Sequence, residues 1–150
     1  MEIRRDFYLD KLIRRKNNGL IKVITGIRRC GKSYLLRTIF KQYLLSKGVN
    51  PQNIISIELD LTRDIRFRNP LELASYVRGI VENSNEEFYL FIDEIQMSDQ
   101  VPNPYNAAGK PITFYDALND LKSLSNLDVY VTGSNSKMLS SDILTEFRGR

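Results

Sequence analysis

Leu20-Ile21-Lys22-Val23-Ile24-Thr25 runs directly into Gly26-Ile27-Arg28-Arg29-Cys30-Gly31-Lys32-Ser33, and Tyr34-Leu35-Leu36, Ile39-Phe40 and Tyr43-Leu44-Leu45 follow. The first stretch is short, apolar and β-branched, as a strand requires; the last repeats at helical spacing. Between them stands the pattern G-x-x-x-x-G-K-[ST], the phosphate-binding P-loop. Its glycines let the backbone close around a phosphate with no side chain in the way. The loop N–H groups and the positive end of the following helix then face the anion. A glycine turn with an exposed lysine would also satisfy the pattern, but strand, loop and helix in this order are the setting the motif needs. Gly26, Ile27, Arg28, Arg29, Cys30, Gly31, Lys32, Ser33 and Tyr34 are therefore the candidate nucleotide contacts. Lys32 would reach the β- and γ-phosphates, and the Ser33 hydroxyl would hold Mg²⁺.

Working outward, the rest of the chain alternates strand and helix. A basic helix is expected over residues 6–16, and Asn17-Asn18-Gly19 reads as a turn. The helix from Gly31 ends near Ser46, at Lys47-Gly48. Ile54 to Leu59 is a second strand, and Asn69-Pro70 opens a helix to Val81. Phe88-Tyr89-Leu90-Phe91-Ile92 has the continuous apolarity of a buried parallel strand. A Pro/Asn/Gly-rich loop over 99–111, a helix from Phe114 to Leu124 and a fourth strand at Leu127–Thr132 follow. Met138 to Phe147 reads as a last helix. The expected fold is α/β, a parallel sheet with helices on both faces, and its ligand belongs beyond the carboxyl ends of the strands. By this reading the sheet has four strands, with a fifth strand and a small helical lid missing.

The apolar run at 88–92 ends in Asp93-Glu94, the Walker B pattern. Asp93 would hold Mg²⁺ opposite Ser33. Glu94 would orient and activate a water for attack on the γ-phosphate. Taken alone, an acidic pair at a strand end is equally a solvated terminus; the P-loop upstream gives it meaning. Thr132-Gly133-Ser134-Asn135 ends the fourth strand, where a polar side chain can touch the γ-phosphate or the attacking water. Ser134 and Asn135 are the first candidates and Thr132 the third; the alternative is a turn that caps the next helix.

Composition narrows the chemistry further. The 150 residues suggest one domain, and 42% hydrophobic with 27% charged content is that of a globular chain. With one cysteine and no histidine, an intrachain disulfide, a Cys/His zinc cluster and a His-dependent nucleophilic triad are all excluded. Mg²⁺ on oxygen ligands remains available. No apolar stretch approaches a bilayer span, and Met1–Asp6 lacks the apolar core of a signal peptide, so a cytoplasmic location is expected. Residues 1–50 hold 13 Lys and Arg against 3 Asp and Glu, while the remainder holds 9 against 15. The basic third reads either as a nucleic-acid footprint or as charges serving the nucleotide and a solvated helix face.

Four ordered segments carry a resemblance: Ile24 to Ser33, Phe91-Ile92-Asp93-Glu94-Ile95-Gln96, Val131 to Ser136, and Phe147-Arg148-Gly149-Arg150. Together the chain resembles the prokaryotic AAA+-like ATPases that carry a C-terminal domain of unknown function. The resemblance implies ATP and Mg²⁺ as ligands and a strand order 2-3-4-1-5. It places the Walker lysine on Lys32, the metal hydroxyl on Ser33, the acidic pair on Asp93 and Glu94, and the sensor segment on Thr132 to Asn135. It also makes Arg148 or Arg150 a candidate to act on a neighbouring subunit's nucleotide in a homo-oligomer; otherwise they are a basic helix end. Family members continue past Arg150, so residues 1–150 are expected to be the ATPase core of a longer architecture. The resulting expectation is Mg-dependent ATP binding with hydrolysis that drives a conformational change. The alternative is a nucleotide-binding switch or interaction module with negligible turnover, DNA-associated if the basic third is a footprint.

Overall fold

The computed structural model of the chain describes residues 2–25, 34–133 and 144–148. The phosphate-loop stretch 26–33, Ser134, Asn135 and Arg150 lie outside the described residues, as does the first part of the last expected helix, 138–143.

The chain opens with helix α1 (Glu2–Arg14) and a turn in which Asn17 and Gly19 take left-handed φ values of 58° and 82°. It then enters strand β1 (Ile21–Thr25). Helix α2 lies beyond the phosphate loop; it is wound in π form over Leu35–Phe40 and continues in α form over Lys41–Ser46. Gly48, at φ 92°, turns the chain out of it. Strand β2 (Ile54–Glu58) follows a 3₁₀ turn at Pro51–Asn53. A second 3₁₀ segment at Thr62–Arg68 leads to α3 (Pro70–Val81). The Asn69 side chain caps α3 by accepting from the N–H groups of Leu71 and Glu72, and Pro70 fills the first turn, where no N–H is needed. Strand β3 (Phe88–Asp93), helix α4 (Phe114–Lys122), strand β4 (Leu127–Thr132) and strand β5 (Leu144–Arg148) complete the described elements. Thr113 and Asp116 form a reciprocal capping box at the start of α4.

The five strands are all parallel and lie in the order β2-β3-β4-β1-β5. This corrects the four-strand expectation. Leu144–Arg148 is the fifth strand, not the end of a helix, and it pairs β1 from Ile21↔Leu144 to Thr25↔Arg148. Among the described strands β5 stands at the end of the order, beside β1. With β5 in place, β1 is an interior strand.

The period of two along each strand sorts the core into two layers. Val23, Ile57, Leu90, Ile92, Val129 and Val131 pack against Leu73, Val77 and Val81 of α3 and Leu118 and Leu121 of α4. The alternate positions, Ile24, Ile54, Tyr89, Phe91 and Tyr130, pack against Tyr8 and Leu12 of α1 and Leu36, Phe40 and Leu44 of α2. Leu71 and Ile80, on the outer side of α3, are exposed. In the second layer Phe40, Phe91 and Tyr130 form an aromatic triangle with centroids 4.9–5.8 Å apart. The Phe91–Tyr130 pair is edge-to-face, at 89°, a geometry that adds to area burial.

The same face has polar positions at both ends of the strands. At the amino end Lys22, fully buried, pairs with Asp128, whose other oxygen accepts from the Tyr130 hydroxyl at 2.7 Å and the Asn17 N–H at 2.8 Å. Lys22 also donates to the Leu20 carbonyl and the Asn18 side chain. Burial lowers the Lys22 ammonium below its ordinary range despite the opposing pull of Asp128. Burial, with Asp128 beside it, pushes the Tyr130 phenol well above its own. At the carboxyl end stand Glu58, Asp93 and Thr132, described below. Among the described residues no helix is long and apolar enough to cross a membrane.

Candidate functional site at the carboxyl edge of the sheet

Residues 89, 91 and 93 of β3, like 130 and 132 of β4, point to the face that carries α2. The carboxylate of Asp93 and the hydroxyl of Thr132 therefore meet under α2. Thr132 is fully buried, and its hydroxyl donates to Asp93 Oδ1 at 3.0 Å. The hydroxyl oxygen in turn accepts the backbone N–H of Glu94 at 3.0 Å. One hydroxyl thus fixes both members of the acidic pair, the first through its side chain and the second through its backbone. Just beyond, the Gly133 N–H donates to the Ile24 carbonyl at 3.2 Å and locks the end of β4 beside the end of β1.

Glu94 leaves β3 in a left-handed conformation, φ 61° and ψ 55°. A non-glycine residue held there costs on the order of 1 kcal/mol and persists only where its surroundings impose it. The Thr132 bond is one such constraint, and Gln96 is another: its side-chain amide donates to Glu94 Oε1 at 2.6 Å. Gly133 closes the arrangement, because a Cβ there would stand 3.2 Å from Ile95 Cγ1.

Two further residues, which belong to neither motif, join this edge. Arg37, on the π-wound turn of α2, places Nε 3.0 Å from Asp93 Oδ2 and Nη1 3.1 Å from Glu58 Oε2. Glu58 ends β2 in register with Asp93, and it also meets Arg63 Nη2 at 2.8 Å. The π turn is the kind of local irregularity that often re-aims a side chain at a functional site. Strand parity, which sets 54, 56 and 58 on the same side as 89, 91 and 93, is the signal by which Glu58 could have been found.

The other expected site residues divide as follows. Asp93, Glu94 and Thr132 come together as described. Tyr34 stands exposed at the start of α2. Arg148 lies on β5, with its backbone in register with Thr25, and not at a helix end. Gly26 to Ser33, Ser134, Asn135 and Arg150 lie outside the described residues.

The hydroxyl of Thr132 also makes a prediction. Thr132→Val keeps the shape but removes the hydroxyl that donates to Asp93 Oδ1 and accepts the Glu94 N–H. We expect a loss of about 1–3 kcal/mol in stability, measured by urea denaturation, with Thr132→Ser recovering most of it. A valine variant as stable as the wild type would show that the bridge has no energetic weight.

The parallel 2-3-4-1-5 sheet, layered by helices and carrying its acidic pair at the carboxyl edge, defines an AAA+-type P-loop α/β domain. A family model described as "AAA domain" matches residues 18–150, and the chain belongs to that family. This makes it a domain of the nucleotide-binding, ATPase-like class. It is 30% identical over 148 residues to an uncharacterized protein of Haemophilus influenzae, covering 99% of this chain and 34% of that one. It is 35% identical over 134 residues to an uncharacterized protein of Methanocaldococcus jannaschii, covering 87% of this chain and 24% of the other. The chain thus spans about a third or less of the length of these curated relatives. Among solved structures the fold is similar to a chain of the Drosophila ORC bound to DNA, with TM-score 0.54 and 10% identity over 97% of this chain and 89% of that one. It is also similar to C. elegans PCH-2, with TM-score 0.56 and 13% identity over 93% and 39%. At such identities the likeness is one of fold.

Proposed function

We propose that the chain binds Mg-ATP at residues 26–34 and hydrolyses it, and that hydrolysis drives a conformational change. The observation that carries the reading is the Asp93–Thr132–Glu94 arrangement, its first two members buried, beneath the helix that follows the phosphate-loop pattern. Gly26 and Gly31 would let the backbone approach the phosphates, and the N–H groups of Ile27, Arg28, Arg29 and Cys30 would face them. Lys32 would carry a point charge to the β- and γ-phosphates. The donor chemistry at the edge fits magnesium, a hard cation that takes one or two carboxylate or hydroxyl oxygens beside the phosphates. Ser33 and Asp93 would hold it, and when bound it would neutralise charge on the β- and γ-phosphates. Glu94, oriented by Gln96 and Thr132, would accept the proton of the attacking water. Ser134 and Asn135 would contact the γ-phosphate from the end of β4. Arg148 and Arg150 would offer positive charge at the transition state. In a homo-oligomer Arg148 or Arg150 would act on a neighbouring subunit's nucleotide. In a longer protein this core would couple ATP turnover to whatever the remaining chain engages.

The test is direct. Lys32→Ala should weaken the binding of fluorescent ATP by about 10–100-fold, the scale of a charge-assisted contact to phosphate. Equal affinities in the two proteins would remove the nucleotide site from residues 26–34.

A further inference from the structure

Asp93 and Glu58 stand side by side on neighbouring parallel strands, in register and both at least nine-tenths buried. Adjacent strands are about 4.8 Å apart, so two carboxylates placed this way repel each other unless a cation lies between them. Among the described residues Arg37 is a cation in that position. Its planar fork spans the pair, with Nε on Asp93 and Nη1 on Glu58, while the side chain itself remains 39% exposed. Glu58 does not depend on Arg37 alone, because Arg63 holds the same Oε2 at 2.8 Å. Its strand end is also fixed by the Glu58 N–H, which donates to Asp64 Oδ2. Arg37 therefore has two anchors of different character. One is a fixed dock, Glu58 with Arg63. The other is a carboxylate whose remaining oxygen is already aligned by Thr132.

We propose that Arg37 is a displaceable counter-ion of Asp93: it neutralises that carboxylate while no divalent cation is present and withdraws onto Glu58 when one binds. The inference rests on the reading of Asp93 as a magnesium-side carboxylate. Its physical content is competition. A guanidinium and a divalent cation cannot both approach one buried oxygen, since like charges a few ångströms apart repel by several kcal/mol at the effective dielectric of such a site. Only the Nε contact has to break for the withdrawal, and the Nη1 bond to Glu58 is retained. A partly exposed side chain pivoting about a fixed carboxylate makes this change without moving α2. The arrangement makes metal entry selective, because a cation must outcompete a built-in positive charge to reach Asp93.

The proposal sets Arg37 apart from a purely structural arginine by the sign of its effect on metal affinity. Mn²⁺, a paramagnetic stand-in for Mg²⁺, is titrated without nucleotide into the wild type, R37Q, R37K and R37Q/D93N, and free Mn²⁺ is read by EPR. R37Q should bind Mn²⁺ at least about tenfold more tightly than the wild type. R37K keeps the charge but not the fork that spans both acids, and should fall between them. R37Q/D93N should lose the gain. In a melt followed by circular dichroism, R37Q should unfold earlier than the wild type in EDTA and recover in Mn²⁺. Should R37Q fail to fold, R37K carries the same comparison. Unchanged or weaker Mn²⁺ binding in a folded Arg37 variant would overturn the proposal and leave Arg37 as a structural tie. Failure of the nucleotide reading would appear elsewhere, as unaltered ATP binding in Lys32→Ala, a measurement in which Arg37 takes no part.

Discussion

Glu94→Gln should retain nucleotide affinity and lower turnover by about 10²–10⁴-fold, the usual contribution of a positioned general base. The substitution is nearly isosteric and removes only the ability to take a proton. Its surroundings show why the effect should fall on turnover and not on folding. The Glu94 backbone N–H is held by Thr132, which the glutamine does not disturb, and the left-handed turn at φ 61° is set by that bond and by the chain on either side. The Gln96 amide, 2.6 Å from Glu94 Oε1, can donate to the amide oxygen of the substituted side chain as it does to the carboxylate. The measurement is phosphate release alongside a fluorescent-ATP titration, in a protein whose wild-type turnover is measurable, extended past Arg150 where that is needed. Equal turnover would take the base role from Glu94. A parallel loss of affinity would point instead to a residue that contacts the nucleotide.

The parts of this molecule that were legible in its sequence share one property: their signal is local. The β1–loop–helix order at residues 20–45, the buried run ending in Asp93 and the Asn69-Pro70 helix start each depend on neighbours within a few residues. What escaped depends on partners far along the chain. Leu144–Arg148 looks helical or irregular by itself, and becomes a strand only because β1 offers it a ladder more than a hundred residues upstream. By sequence alone Thr132 is the third candidate, behind Ser134 and Asn135. Strand parity, which turns 128, 130 and 132 to one face, is what carries its hydroxyl to Asp93. Arg37 reads as one more charge of a basic third, yet it is tied to Glu58 and Asp93, 21 and 56 positions away. Lys22 is the sharpest case. In a run of β-branched residues a lysine signals an exposed edge, whereas here it is fully buried in an interior strand. The basic character of residues 1–50 is thus partly internal, which weakens the case for a nucleic-acid footprint without touching the nucleotide reading.

Loss of the partner of that lysine should have the largest effect on folding. Asp128→Ala should destabilise the domain by about 3–5 kcal/mol at neutral pH, the usual consequence of leaving a buried charge without its counter-ion. Asp128 does three things at once: it pairs with Lys22, accepts the Tyr130 hydroxyl and accepts the Asn17 N–H that closes the turn between α1 and β1. With the carboxylate gone, the contact that raises the Lys22 affinity for its proton disappears and burial, which already lowers it, acts alone. The lysine then escapes the cost of a naked buried charge by giving up its proton. From the ordinary value of 10.5, doing so at pH 7 costs roughly 1.36 kcal/mol for each unit, or about 5 kcal/mol, which caps this part of the loss. The sign of the pH dependence follows. The folded variant lacks a proton that the unfolded chain keeps up to its ordinary value, so the unfolded state binds more protons and stability rises with pH. Urea denaturation at pH 7 and pH 9.5 should therefore show Asp128→Ala regaining part of its deficit relative to the wild type at the higher pH. The share due to Tyr130 and Asn17 should not return. A deficit independent of pH would mean that Lys22 is charged and solvated in the variant. A deficit under about 1 kcal/mol would mean that the pair does not hold β1 in its place.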